Sequence, residues 1–215
     1  MAGFFWHLKE FLGVPNRQPN NYIASSDGKI YVIKDSQIGR AVLKSKNVPK
    51  LDKITEGFEF KLPKIPNSML QTALSFFRAY WNDAVQNEAM LRIVFDTVEQ
   101  TYLFDCPKQY VRSDRVHAPD VGIDFPEPRY LDVLHIHSHH IWPAVFSEID
   151  DLNERKFRLY VCVGRMHNPL PDVTVRVGHG GSFVYLPVDY IFESANLSYK
   201  LDDYPKEWES NVIIE

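Results

Sequence analysis

A run of apolar residues that begins at Tyr130 ends in a cluster of histidines, and this segment restricts the fold more than any other part of the chain. Four of the eight histidines in the 215-residue sequence stand at positions 135, 137, 139 and 140. Residues two apart on a β-strand point to the same face, so a strand here would place His137 and His139 side by side. Gathering imidazoles on one face without a common ligand costs desolvation free energy. The pattern therefore predicts a strand that carries part of a metal site.

Ser147 and Asp150 follow the histidines at a spacing typical of the first turn of a helix. With Ser147 as the N-cap, Asp150 is the third helical residue and its side chain faces the cap. If the intervening loop turns the chain back, Asp150 supplies a third ligand. Two histidines and one carboxylate leave a fourth tetrahedral position open, which is typical of catalytic zinc. The alternative is that Asp150 only caps the helix.

The remaining histidines and the common metal motifs add little to this site. We expect His135 to be a buried structural residue and His140 to point to the opposite face. The HExxH pattern is absent, and an HxHxDH pattern fails because Ile141 and Trp142 stand where Asp and His are required. Metallohydrolases of the barrel type also begin with HxH on a strand, but they need several downstream ligands, and few histidines remain downstream.

Composition excludes some classes of protein. Lys and Arg total 24 against 28 for Asp and Glu, so the net charge of -4 gives no electrostatic reason to expect nucleic acid. No apolar run reaches about 18 residues, so no integral membrane helix is expected. Cys106 and Cys162 form no CxxC pair, which favours a reduced, cytoplasmic setting.

Periodicity predicts the elements and their organisation. An N-terminal helix is expected from Phe4 to Leu12, packed on the core or on a partner, with membrane-surface attachment as the alternative. Further predictions are a hairpin over 22–34 around Ser26-Asp27-Gly28, a helix from Asn67 or Ser68 to Trp81, strands at 91–95, 101–104, 109–112, 130–135 and 157–163, a helix over 147–156, and a hairpin of 173–177 with 183–186.

The pattern indicates an α/β or α+β layered fold with a central mixed β-sheet flanked by helices. Three regions are expected: an N-terminal helix and hairpin extension over 1–64, the main domain over 65–194, and a C-terminal tail over 195–215.

The spacing His137-Ser138-His139, seven residues, Ser147, two residues, Asp150 matches the JAMM motif of the JAB/MPN (Mov34) metalloprotease family without a gap. From about Glu88 to about Phe192 the chain resembles a bacterial JAB domain, most of all the PRTRC system protein A-like subgroup. It departs from the family pattern directly after the second histidine, where His140 replaces the usual proline. That change affects the loop and no ligand.

This resemblance implies a cytidine-deaminase-like fold and one zinc ion held by His137, His139 and Asp150. It implies hydrolysis of an amide or isopeptide bond, with Ser147 stabilising the oxyanion. It also implies an upstream catalytic glutamate, a position that Glu88 fits better than Glu99 or Glu127. The implied substrate is a protein or peptide, such as the C-terminal tail of a ubiquitin-like protein. A non-catalytic MPN scaffold and a zinc hydrolase of non-protein amides are the alternatives, and the sequence leaves the oligomeric state open.

Overall fold

The computed structural model describes residues 2–49, 51–81, 86–118 and 125–215. The chain divides into two compact units, Met1–Thr55 and Glu56–Glu215, so the division falls upstream of the predicted boundary after residue 64. In the described residues, none of the helices combines the length and apolar character needed to cross a membrane.

The first unit is a small sheet with one short helix. Its elements are β1 (Ala2–Phe5), α1 (Leu8–Gly13), β2 (Asn20–Ala24), β3 (Ile30–Ser36) and β4 (Gly39–Lys44), and the strands lie in that order. The predicted hairpin is confirmed, because β2 and β3 pair antiparallel around the turn that contains Gly28, whose φ of 74° suits glycine. The predicted N-terminal helix is wrong in its first part. Ala2–Phe5 pair in parallel with β2 instead, and the ring of Phe5 packs edge-on against buried Phe11.

The second unit is built on a six-stranded sheet. Its elements are α2 (Asn67–Ala79), β5 (Met90–Asp96), β6 (Thr101–Asp105), β7 (Gln109–Val111), β8 (Val116–His117), β9 (Tyr130–Ser138), α3 (Glu148–Asn153), β10 (Arg158–Gly164), β11 (Asp172–His179), β12 (Ser182–Leu186), α4 (Val188–Ile191), a 3-10 helix (Lys206–Asn211) and β13 (Val212–Ile214). The strand order is β12-β11-β10-β9-β5-β6, with β9 and β10 parallel and the other neighbours antiparallel. A second sheet has the order β13-β7-β8. The predicted mixed α/β class with a central mixed sheet is confirmed, with strands outnumbering helices among the described elements.

Alternation along β9 separates the core from the site. Leu134 and Ile136 are fully buried in the apolar core with Leu74 and Phe77 of α2, so His137, between Ile136 and Ser138, projects from the other face.

The predicted helix from residue 67 is confirmed, but its N-cap is Pro66. The backbone N–H of Asn67 donates instead to the Glu193 carboxylate, 3.1 Å away. A remote side chain therefore satisfies the helix start, which local sequence could not show.

The C-terminal residues belong to the same packed unit. Trp208 lies edge-on to Phe76 of α2 and to Phe104 of β6, with ring centroids 5.5 and 5.1 Å apart. β13 pairs in parallel with β7. Residues 195–215 thus cover part of the core and complete the second sheet.

Candidate metal centre

The end of β9 brings two imidazoles together. β9 lies between β5 and β10, and His137 is opposite Met90 on one side and Cys162 on the other. The backbone N–H of His139 donates to the carbonyl of Val163 at 2.7 Å, which keeps the chain in register one residue beyond β9. The two Nε2 atoms are 3.0 Å apart, and both residues are 7% exposed. The predicted pairing of His137 and His139 on one face is confirmed.

Asp150 reaches this pair from the first turn of α3. Ser147 is the N-cap and its hydroxyl accepts from the Asp150 N–H, while the Asp150 carboxylate accepts from the Ser147 N–H at 2.6 Å. The same carboxylate lies 3.5 Å from His137 Nε2 through Oδ1 and 3.5 Å from His139 Nε2 through Oδ2. Capping the helix and facing the histidines are therefore compatible tasks for one side chain.

The donor atoms of these three residues lie at separations close to those that a small tetrahedral cation needs. Zinc bonds of about 2.0 to 2.2 Å to nitrogen and oxygen imply ligand-to-ligand distances of about 3.3 to 3.6 Å. Each Asp150 oxygen is 3.5 Å from one histidine Nε2, and the two nitrogens are slightly closer than this range, at 3.0 Å. Buried His137 also lies near Cys162 on β10 and near Glu154 at the end of α3, and both can join metal-binding groups with it. These residues could hold a metal ion.

A tightly packed loop fixes the distance between the histidines and α3. Trp142 O accepts from Arg165 N at 2.7 Å, and His140 O accepts from Met166 N at 2.7 Å. Gly164 lies so close to this loop that a Cβ on it would be 2.3 Å from both Ala144 N and Trp142 O. A glycine at the end of β10 is therefore required for the approach of the loop that places Asp150.

Glu88 lies beside the three donors. Its Oε1 is 4.0 Å from His139 Nε2, and the residue is 8% exposed. Its backbone N–H donates to Arg112 O at 2.8 Å. Next to it, Ala89 is held twice by Ser138, once from the Ser138 N–H to the Ala89 carbonyl and once from the Ala89 N–H to the Ser138 hydroxyl. The middle residue of the His-Ser-His segment thus ties Glu88 to the histidines, a role that we did not infer from sequence.

Burial and charge set the protonation of the site. Burial raises the pKa of Glu88 to about 8, against the effect of His139. Burial lowers the pKa of His137 to about 4, so this ring is neutral at neutral pH. For His139 burial acts in the same direction, but the hydrogen bond and charge of Asp150 and the charge of Glu88 raise its pKa. Burial would raise the pKa of Asp150, yet the histidines and the Ser147 hydrogen bonds hold it far below its usual value.

Ser147 is exposed at the rim of the site, and its hydroxyl is already engaged. The Oγ donates to Asp150 Oδ2 at 2.7 Å and accepts from the Asp150 N–H at 3.2 Å. To donate to an oxyanion, the Ser147 proton would have to turn from the Asp150 carboxylate toward the cleft.

The other two clustered histidines have partners outside the three donors. His140 has a positive φ of 30°, and its Nε2 contacts the carbonyl of Ser113 at 2.5 Å. His135 lies 3.2 Å from the carboxylate of Asp132 and also contacts Arg158. Burial lowers the pKa of His135 to about 4, although Asp132 opposes this.

A cleft of about 650 Å³ opens onto the site. Glu88, His137 and Asp150 lie in its wall, together with Arg112 and Arg115 between β7 and β8. A larger cavity of about 1080 Å³ opens at the opposite end of β9, where Phe58, Phe125 and Phe157 are among its lining residues. We assign the site to the smaller cleft because it contains the clustered donor atoms.

Neither the family models nor the curated proteins that were compared with this chain gave a match.

Proposed function

We propose that this protein is a zinc-dependent hydrolase of amide or isopeptide bonds of the JAB/MPN type, with a cytidine-deaminase-like layering of its second unit. The observation that carries the proposal is the clustering of His137, His139 and Asp150, whose donor atoms lie 3.0 to 3.5 Å apart, with the buried carboxyl group of Glu88 4.0 Å from His139 Nε2. The JAMM-type spacing of the sequence supports the same assignment. The free, buried state of both cysteines supports a reducing, cytoplasmic setting.

The site residues have distinct tasks in such a reaction. When bound by the three donors, zinc supplies Lewis acidity toward water and the scissile carbonyl. Glu88 accepts a proton from the attacking water and delivers it to the leaving amine nitrogen. The pKa of Glu88, about 8 without a metal ion, would fall toward the range of a general base with a cation held beside it, because a nearby positive charge favours the ionised carboxylate. Ser147 turns its hydroxyl proton to the developing oxyanion.

The proposed substrate is a protein or peptide, such as the C-terminal tail of a ubiquitin-like protein. The cleft is lined by residues of α3, β7 and β8. A scaffold without activity would have no use for Glu88 as a buried carboxylate, which costs free energy unless it is compensated.

Metal analysis with cleavage assays tests this function. We expect one equivalent of zinc in the wild type and none in His137→Ala. Glu88→Gln should keep zinc and lose at least about a hundredfold in cleavage of ubiquitin-like fusions or amide-linked fluorogenic peptides. Glu148→Gln, a change of the same chemistry at an exposed position on α3, is the matched control and should resemble the wild type. A wild type that binds no metal in non-chelating buffer, or a Glu88→Gln protein with unchanged cleavage, would refute the proposal.

A further inference from the structure

Arg176 on β11 is a buried cation with an unusually restricted side chain. It is 1% exposed, and its guanidinium carbon lies 3.7 Å from the centroid of the Phe146 ring and 3.6 Å from that of Phe183. Its Nε and Nη2 donate to Glu154 Oε2 at 3.0 and 2.5 Å, and its Nη1 donates to Asp151 Oδ1 at 2.5 Å. Since two aromatic rings and two carboxylates hold the guanidinium, it anchors Glu154 firmly.

The second oxygen of Glu154 points toward the metal centre. Glu154 Oε1 lies 3.9 Å from His137 Nδ1, whereas Nε2 of the same ring faces His139 and Asp150. The His137 ring therefore lies between Glu154 and the other two donors. The gap of 3.9 Å is longer than a direct hydrogen bond, so Glu154 acts on the Nδ1 side of the ring through its charge.

A neutral imidazole carries one proton, and the nitrogen that binds a metal must be the unprotonated one. A carboxylate facing Nδ1 favours the proton there and leaves the Nε2 lone pair free. We propose that Glu154, held by Arg176, is a positioning residue that keeps His137 in the Nδ1–H tautomer and in the orientation for metal binding. This inference rests on the proposed function, since it assumes an ion at Nε2.

Glu154 could alternatively be a ligand itself, because its carboxylate groups closely with His137 and Asp150. Two observations argue against this. Glu154 Oε2 already accepts two hydrogen bonds from Arg176, and Oε1 approaches the ring from its Nδ1 side. To reach an ion shared by His137 and His139, Oε1 would have to move from the Nδ1 side of the His137 ring to its Nε2 side.

The substitution Glu154→Gln tests the inference sharply. Arg176 offers only donors, so it will attract the amide oxygen and leave the amide NH₂ facing His137 Nδ1. An NH₂ group there requires an unprotonated Nδ1 and therefore favours the Nε2–H tautomer, which cannot bind metal through Nε2. We expect zinc affinity at pH 8, measured by competition with a chromophoric chelator, to fall about 10- to 100-fold. Imidazole ¹⁵N NMR of the metal-free protein should show a change of tautomer at His137.

Matched variants separate the possible outcomes. Asp151→Asn removes the more exposed partner of Arg176 and should leave zinc affinity and tautomer unchanged. If wild-type protein binds no zinc, the proposed function fails first. If it binds zinc and Glu154→Gln shows the same affinity and tautomer, the inference is overturned. Loss of all zinc with an unchanged tautomer would make Glu154 a direct ligand and also overturn it. If Glu154→Gln does not fold, the tautomer of His137 in the metal-free wild type decides the matter: an Nδ1–H tautomer supports the inference, and an Nε2–H tautomer contradicts it.

Discussion

Asp150 shows how a single residue can serve both the helix and the site. Its carboxylate accepts hydrogen bonds from the N-cap Ser147 and lies at 3.5 Å from both His137 and His139. The negative charge is retained because the surrounding donors hold the pKa of Asp150 far below its usual value. Helix capping thereby fixes the orientation of a proposed metal ligand without a separate supporting residue.

Substitutions at Ser147 and Asp150 should separate these two tasks. Ser147→Ala removes the hydroxyl that accepts from the Asp150 N–H, so we expect unfolding free energy to fall by about 1 kcal/mol, with zinc affinity changed less than in Asp150→Asn. Asp150→Asn keeps an oxygen for the Ser147 N–H but removes the charged ligand, so zinc affinity should fall strongly while stability changes little. Denaturant unfolding of the metal-free proteins and chelator competition measure the two effects. Equal zinc losses in both variants would contradict the separation.

The loop between β9 and α3 determines the site at the level of secondary-structure elements. It holds Trp142 and Ala144 against the end of β10, where Gly164 has no room for a side chain. Thr174 on β11 also donates to the carbonyl of Ala144 at 2.5 Å. The loop is therefore tied to two strands of the main sheet, and any displacement of it would move α3 relative to His137 and His139.

Gly164→Ala should test this dependence. An added Cβ forces the loop outward, because the obstructing atoms belong to the backbone. We expect a loss of about 1 to 3 kcal/mol in unfolding free energy and weaker zinc binding through displacement of Asp150. Gly57→Ala is the control, since a Cβ there meets nothing within 4 Å. Wild-type zinc affinity in Gly164→Ala would show that the loop does not set the position of Asp150.

At the scale of the whole molecule, each unit has its own buried apolar residues. The first unit buries Phe11, Ile23 and Ile33 around β2 and β3. The second buries a much larger cluster between α2 and the main sheet, which residues 195–215 extend through Tyr204 and Trp208. The proposed site draws its residues only from the second unit.

Residues 56–215 should therefore fold and bind zinc without the first unit, with an affinity within about threefold of the full chain, as expected for a unit with its own core.

Removing residues 195–215 instead uncovers Phe76 and Phe104 and takes away β13, the partner of β7. That truncation should lose cooperative thermal unfolding. Calorimetry and chelator competition on both fragments measure these effects, and a cooperative transition in the chain ending at residue 194 would contradict the structural role of the C-terminal residues.

Local spacing alone determined that His137 lies beside His139 and that Asp150 faces its helix cap, and tertiary structure decided the rest of the site. The alternation of a strand places His137 beside His139, and the first turn of a helix places Asp150 against its cap. Both depend on backbone geometry within a few residues, which sequence encodes directly. The proximity of Glu88 depends on the pairing of β5 with β9 and on the Ser138 hydrogen bonds. The contact of Arg176 with Glu154 depends on packing between β11 and α3. Such contacts between distant segments have no local periodicity, so only the folded chain shows them.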